Sequence, residues 1–237
     1  MATVLVIDDD AQFQKLVAVA LQPAGHQVVE AGRVRDAESR LATLKPDVVL
    51  VDGLLPDGDG ASWAAAKRKT LGAPIIFVSA FWRGTRETRE LQANAKLAGL
   101  LRKPATPEQI LAEVERVLGS SAPVQPATTA ASSEEFEALR AEYTSELPER
   151  LARLRRQLKT VQQRPRDTVL FAEVRREAHE LAGTAGSFGF EDLTALGNDL
   201  ERALLKWQGT SAASAWAPIL LTISSLEWWQ ACLPAAA

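Results

Sequence analysis

The hydrophobic pattern of this chain changes period once, and that change divides it in two. Up to residue 118, short apolar runs alternate with longer stretches of helical spacing; from residue 132 onward the spacing is helical throughout. The apolar runs are residues 4–7, 27–29, 48–51, 75–78 and 99–101. They are mostly β-branched or leucine and are bounded by Asp, Gly or Pro, which suits strands buried on both faces. Between them, positions such as Phe13, Leu16, Val17, Ala20 and Leu21 repeat at helical spacing. Five strands alternating with five helices predict a parallel sheet covered on both sides, an α/β domain over residues 1–118.

Residues 119–133 hold small residues and two prolines without an apolar period, and read as a linker. Beyond it, Phe136, Leu139, Tyr143, Leu147, Leu151, Leu154, Leu158 and Val161 recur every three or four residues. Pro148 lies within this run, either in the first turn of a second helix or as a kink in one long helix. Residues 164–167 break the pattern. Further helices are expected from about Thr168 to Ser187, through Leu193, Leu196, Leu200, Leu204 and Trp207, and through Trp216, Ile219, Leu220, Ile223 and Leu226. Amphipathic helices with short breaks predict an all-α domain, an antiparallel four-helix bundle over residues 134–235. Trp207, Trp216, Trp228 and Trp229 are expected in its core.

Composition narrows the function classes. The 237 residues are 46% hydrophobic and 24% charged, as in a globular protein. A net charge of -3 gives no basic footprint for nucleic acid. The single cysteine, Cys232, cannot form an internal disulfide and is expected to be a packed or surface thiol. No stretch of 18 apolar residues predicts a membrane span, and the N-terminus lacks the pattern of a signal peptide, so a cytoplasmic location is expected.

The chemistry concentrates at strand ends. Asp8, Asp9 and Asp10 follow the first strand, Asp52 the third, Ser79 the fourth and Lys103 the fifth. In a parallel α/β sheet these carboxyl ends line one crevice. Carboxylates crowded there repel unless a cation joins them, and a hard divalent ion with oxygen ligands suits such a set. An ammonium and a hydroxyl could then hold phosphoryl oxygens. In the helical half, His179 lies mid-helix, with Ala182, Gly183 and Gly186 on its face. Glycines in a helix interior cost about 1 kcal/mol each. They either leave an open face where another protein can bring a phosphate to the imidazole, or allow close helix packing around a buried histidine. His26 is expected to be a loop or strand-start residue.

Val4-Leu5-Val6-Ile7-Asp8-Asp9, Asp47-Val48-Val49-Leu50-Val51-Asp52, Leu55-Pro56-Asp57-Gly58-Asp59-Gly60, Ile75-Ile76-Phe77-Val78-Ser79-Ala80 and Arg102-Lys103-Pro104 together resemble response-regulator receiver domains. The resemblance implies a five-stranded (βα)5 flavodoxin-like fold with Asp52 as phosphoacceptor. It implies Mg2+ held by Asp8, Asp9, Asp52 and the backbone carbonyl of Leu54, with Ser79 and Lys103 on the phosphoryl oxygens. Asp10, Asp57 and Asp59 are expected as turn and cap residues. Leu100 stands where the family often has an aromatic switch residue, and Phe81 and Trp82 are bulky for a loop that faces partners.

The stretch His179-Glu180-Leu181-Ala182-Gly183-Thr184-Ala185-Gly186-Ser187-Phe188-Gly189 resembles the histidine phosphotransfer motif, which implies that His179 is phosphorylated. The family usually has lysine at the position of Ala182, and Arg175 or Arg176 could supply the missing charge. Together the resemblances imply a two-component phosphorelay protein. It would be a phosphoacceptor and not an enzyme acting on other substrates, its receiver catalysing its own phosphorylation and dephosphorylation. Its partners would be a histidine kinase, a response regulator or a phosphotransfer protein. The alternative is a receiver controlling an interaction or dimerisation module whose helical bundle is not phosphorylated.

Overall fold

The computed structural model describes residues 1–80, 97–119, 130–207 and 213–232, which form two compact units, Met1–Leu139 and Arg140–Ala237. Phe81, Trp82, the helix expected before the fifth strand, most of the expected linker and the side chain of Cys232 lie outside the described residues.

In the first unit, β1 (Thr3–Ile7), β2 (Gln27–Ala31), β3 (Val48–Asp52), β4 (Ile75–Ser79) and β5 (Gly99–Arg102) form one parallel sheet of order β2-β1-β3-β4-β5. The order reverses direction between β1 and β3, so a crevice opens there at the carboxyl ends of the strands. Helices α1 (Ala11–Leu21), α2 (Val34–Leu41), α3 (Gly60–Lys67) and α4 (Pro107–Leu118) accompany the strands. Alternation along each strand divides the apolar residues between the two faces. Leu5, Ile7, Val49, Val51, Ile75 and Phe77 pack with Ala37, Trp63 and Ala64 of α2 and α3. Val4, Val6, Leu50, Ile76 and Val78 point the other way and are equally buried, as are Phe13, Leu16, Ile110 and Val114 of α1 and α4. Burying such side chains contributes about 1.5–3 kcal/mol each. The predicted double coverage of the sheet is therefore present.

Three aspartates take the cap roles expected of them. Asp10 accepts the amides of Gln12 and Phe13 at 3.0 and 3.3 Å and starts α1. Asp59 accepts the Ser62 amide at 2.8 Å and starts α3. Asp57 acts at a distance: it accepts the amides of Val34 and Arg35 at 2.9 and 3.1 Å, because the residue preceding α2, Arg33, provides no side-chain cap. His26 is a buried strand-start residue whose Nε2 lies 2.7 Å from Glu115 of α4.

The second unit is built from α5 (Ala130–Gln163) from Arg140 onward, α6 (Thr168–Thr184), α7 (Glu191–Trp207) and α8 (Ala213–Cys232). Helix α5 begins at Ala130, inside the expected linker, and runs unbroken through Pro148. Its buried positions Leu139, Tyr143, Leu147, Leu151, Leu154, Leu158 and Val161 are those with the three-four spacing. Asp167 caps α6 by accepting the Leu170 amide at 3.1 Å. Helix α6 stops at Thr184, earlier than expected, and a 3-10 turn over Ala185–Phe188 follows, closed by Gly189 at φ 88°. Helices α6 and α7 are antiparallel neighbours: Gly197 sits on Ala182, Glu201 on His179 and Trp207 on Phe171. The core position expected of Trp228 is not found on α8. Leu220 and Trp228 are 47% and 61% exposed, because Trp216, Ile219, Ile223 and Leu226 already complete the buried stripe.

Candidate functional site

Strand register brings the first set of residues together. Ile7 pairs with Val51, so Asp8 and Asp52 emerge side by side. Ser79 pairs with Arg102, so Lys103 follows at the same edge, its amide donating to the Ser79 carbonyl at 2.9 Å. The Lys103 ammonium reaches between the two acids, donating to Asp8 Oδ2 at 2.6 Å and Asp52 Oδ1 at 3.1 Å. It also lies 4.1 Å from the centre of the Phe13 ring, which favours a cation. The other Asp52 oxygen accepts the Leu54 amide at 2.7 Å. The loop that provides this amide folds back through Gly60, where a side chain would meet the Asp52 carbonyl oxygen at 1.8 Å. Only glycine fits that approach.

All three charged groups are buried: Asp8 is 2% exposed, Asp52 1% and Lys103 3%. One ammonium cannot neutralise two carboxylates. Burial, together with the charges of Asp52 and Asp10, pushes the Asp8 carboxyl up to about 8 despite the pull of Lys103. Burial alone would push the Lys103 ammonium down, but Asp52 and then Asp8 outweigh it and the net shift is upward. The crevice thus carries surplus negative charge that a proton or a divalent cation would relieve.

The donor set suits Mg2+, which binds through one or two carboxylates and keeps its other positions for water and phosphate oxygens. Asp8 and Asp52, sharing one ammonium, provide those carboxylates, and half-buried Asp9 lies next along the chain. Among the described residues no three acidic, histidine or cysteine side chains already converge as a preformed metal cluster. Ser79 is half-buried at the end of β4.

The second site lies on the seam between α6 and α7. His179 is 7% exposed, and its Nδ1 stands 3.2 Å from both carboxylate oxygens of Glu201, itself 6% exposed. A carboxylate facing Nδ1 places the ring proton there and leaves the lone pair on Nε2. Nε2 is shielded from solvent. Gly183 is buried and Gly186 half-buried, its amide donating to the Thr194 hydroxyl at 2.8 Å, so the open face beside His179 is not formed. The glycine that permits close helix approach is Gly197: a Cβ there would lie 2.6 Å from the Ala182 amide nitrogen. That contact also explains the missing lysine, because position 182, 1% exposed, faces α7 and not solvent.

Sequence reasoning missed Glu201 and Gly197. Their signal was a carboxylate and a glycine on the buried stripe Leu193, Gly197, Leu200, Glu201, Leu204 of α7. Beside the histidine, Arg150 bridges Glu177 at 2.5 Å and Glu180 at 3.0 Å, and Arg153 joins Glu177 at 3.0 Å.

Comparison with known proteins finds a different family in each half of the chain. The response regulator receiver domain family matches residues 4–115, and the Hpt domain family matches residues 138–229. The phosphate regulon transcriptional regulatory protein PhoB of Pseudomonas aeruginosa is 30% identical over 124 residues, covering 51% of this chain and 53% of the relative. The uncharacterized transcriptional regulatory protein YvcP of Bacillus subtilis is 34% identical over 119 residues, covering 50% and 49%. The chain spans about half the length of these curated relatives. Among solved structures, the chemotaxis response regulator CheY4 of Vibrio cholerae is similar at 28% identity and a TM-score of 0.45, covering 49% of this chain and 98% of its own.

Two signalling-domain families thus match the chain one after the other. The chain therefore joins, in one polypeptide, a response regulator receiver domain to an Hpt domain. No helix among the described residues is long and apolar enough to cross a membrane.

Proposed function

We propose that the chain relays phosphoryl groups, with Asp52 as acceptor in a receiver domain over residues 1–118 and His179 as carrier in a helical domain over residues 134–235, residues 119–133 linking them. The observation that carries this reading is the buried Lys103 ammonium between Asp8 and Asp52, 2.6 and 3.1 Å away. An Asp52 oxygen attacks the phosphorus of a partner's phosphohistidine; the P–N bond breaks and the imidazole leaves with the electron pair. Lys103 and the Ser79 hydroxyl take the phosphoryl oxygens, and Lys103 exchanges carboxylate partners for phosphate. Mg2+, held by Asp8, Asp9, Asp52 and the Leu54 carbonyl, would offset the charge that builds up on those oxygens. The receiver thereby catalyses its own phosphorylation, and water at the same phosphorus reverses it.

At His179, Nε2 attacks the phosphorus of an aspartyl phosphate and the carboxylate leaves with the P–O electrons. The Nδ1–H keeps donating to the Glu201 carboxylate, which stabilises the charge on the ring. The donors and acceptors are a histidine kinase, another response regulator or a phosphotransfer protein. The same reading places the chain in the cytoplasm, where ATP-derived phosphoryl donors are made.

The burial of His179 favours a second reading, in which the bundle is an interaction module governed by the receiver and is never phosphorylated. Incubating the full chain, its Asp52→Asn variant and its His179→Gln variant with a radiolabelled phosphohistidine donor separates the two. The relay predicts base-stable, acid-labile label that His179→Gln abolishes and base-labile label that Asp52→Asn abolishes. Absence of base-stable label from the unsubstituted chain, both with this donor and with a separately phosphorylated receiver domain as donor, would leave only the second reading.

A further inference from the structure

We propose that Arg175 holds the phosphoryl group on His179, in the role left open by Ala182; this rests on the reading of His179 as a phosphate carrier. Three observations converge on it. First, position 182 cannot project a cation, since its backbone is pressed against Gly197. Second, Arg176 is already committed: its Nε lies 3.6 Å from Glu180 Oε1, one turn along the helix. Third, Arg175 Nε is shielded from solvent and meets no acceptor among the described residues. A buried donor without an acceptor is uncommon enough in folded proteins to require an explanation.

The helix places this donor where a phosphate would form. Phe171 and His179 both reach α7, through Trp207 and Glu201, so Arg175, four residues from each, lies on the same seam. Side chains on a helix lean toward its N-terminus, so the His179 ring leans over the turn that carries Arg175. With Nδ1 turned to Glu201, a phosphoryl group on Nε2 presents its oxygens to that turn. The Nε and one Nη of a guanidinium form the fork that binds two phosphate oxygens at once, and the unmatched Nε is half of such a fork.

The test uses the full chain and phosphoramidate, which transfers its phosphoryl group to an imidazole nitrogen as its P–N bond breaks and ammonia leaves. Phosphohistidine is followed by 31P NMR, which resolves it from acyl phosphate, and its shift is titrated against pH. Arg175→Gln is expected to slow formation about tenfold and to move the second ionisation of the phosphoryl group up by about one pH unit. Arg175→Lys should restore most of the ionisation shift, and Arg176→Gln should change it little. A purely structural arginine would not move the phosphoryl titration. Phosphohistidine that forms in the Arg175→Gln variant with an unshifted titration overturns the role of Arg175 and leaves the relay intact. No phosphohistidine in the unsubstituted chain, with acyl phosphate present, overturns both.

Discussion

Both carboxylate oxygens of Glu201 lie 3.2 Å from Nδ1 of His179, so a buried acid on one helix fixes the proton of a buried imidazole on the next. The carboxylate sets which ring nitrogen can attack. Glu201→Ala is expected to slow phosphohistidine formation by at least about tenfold, the usual scale for losing a group that orients a reactive histidine. Glu201→Gln keeps an acceptor for the Nδ1 proton and should lose less. Initial rates with a common phosphodonor check the order; equal rates for the two variants would show that Glu201 does not orient the ring.

At the receiver crevice, Lys103→Met removes the ammonium that pairs with both Asp8 and Asp52. Breaking a buried pair from one side costs about 3–5 kcal/mol. Part of that is recovered here because Asp8, already pushed up to about 8, can take a proton. We expect a loss near the lower end by urea denaturation at pH 7, shrinking when Asp8→Asn is added. Additive losses would mean the two residues are not coupled.

Gly197→Ala tests the close approach of α6 and α7. In an open helix the change would stabilise by about 1 kcal/mol. Here the new Cβ would meet the Ala182 amide nitrogen at 2.6 Å and the Ala178 carbonyl oxygen at 2.9 Å, both backbone atoms that cannot step aside. Overpacking of this kind costs about 1–3 kcal/mol, so the net sign should be destabilising. A rise in the bundle's melting temperature would contradict the geometry.

Glu177 gives the bundle an acid-sensitive component. Burial pushes its carboxyl up, but Arg150 and then Arg153 outweigh that and hold it below the ordinary glutamate value. A carboxyl depressed in the folded state binds fewer protons than in the unfolded chain. Its stabilisation is therefore present above the unfolded value and is lost as pH falls through the folded one. Glu177→Gln should be less stable than the parent at pH 7, with the gap closing as the solution is acidified below about pH 4. Denaturation curves at intervals from pH 7 to pH 3 would show it; a constant gap would remove the ion pairs as its cause.

The buried crevice was legible in sequence because parallel strands place the residues that follow them at one edge. Once residues 4–7, 48–51 and 75–78 read as strands, Asp8, Asp52 and Ser79 had to fall at one edge of the sheet. The bundle's core on α5 followed in the same way from its three-four spacing. The surroundings of His179 did not, because helical periodicity says which residues share a face but not which neighbouring helix covers it.

The sequence by itself determined the change from an α/β to a helical unit, the strand-end cluster and the helical setting of His179, all consequences of local periodicity. Only the tertiary structure decided that Lys103 bridges Asp8 and Asp52, that Gly197 meets Ala182 and that Glu201 holds the imidazole. Each of those contacts joins residues that are distant along the chain, and their partners are selected by packing and charge compensation between whole elements, which no local pattern encodes.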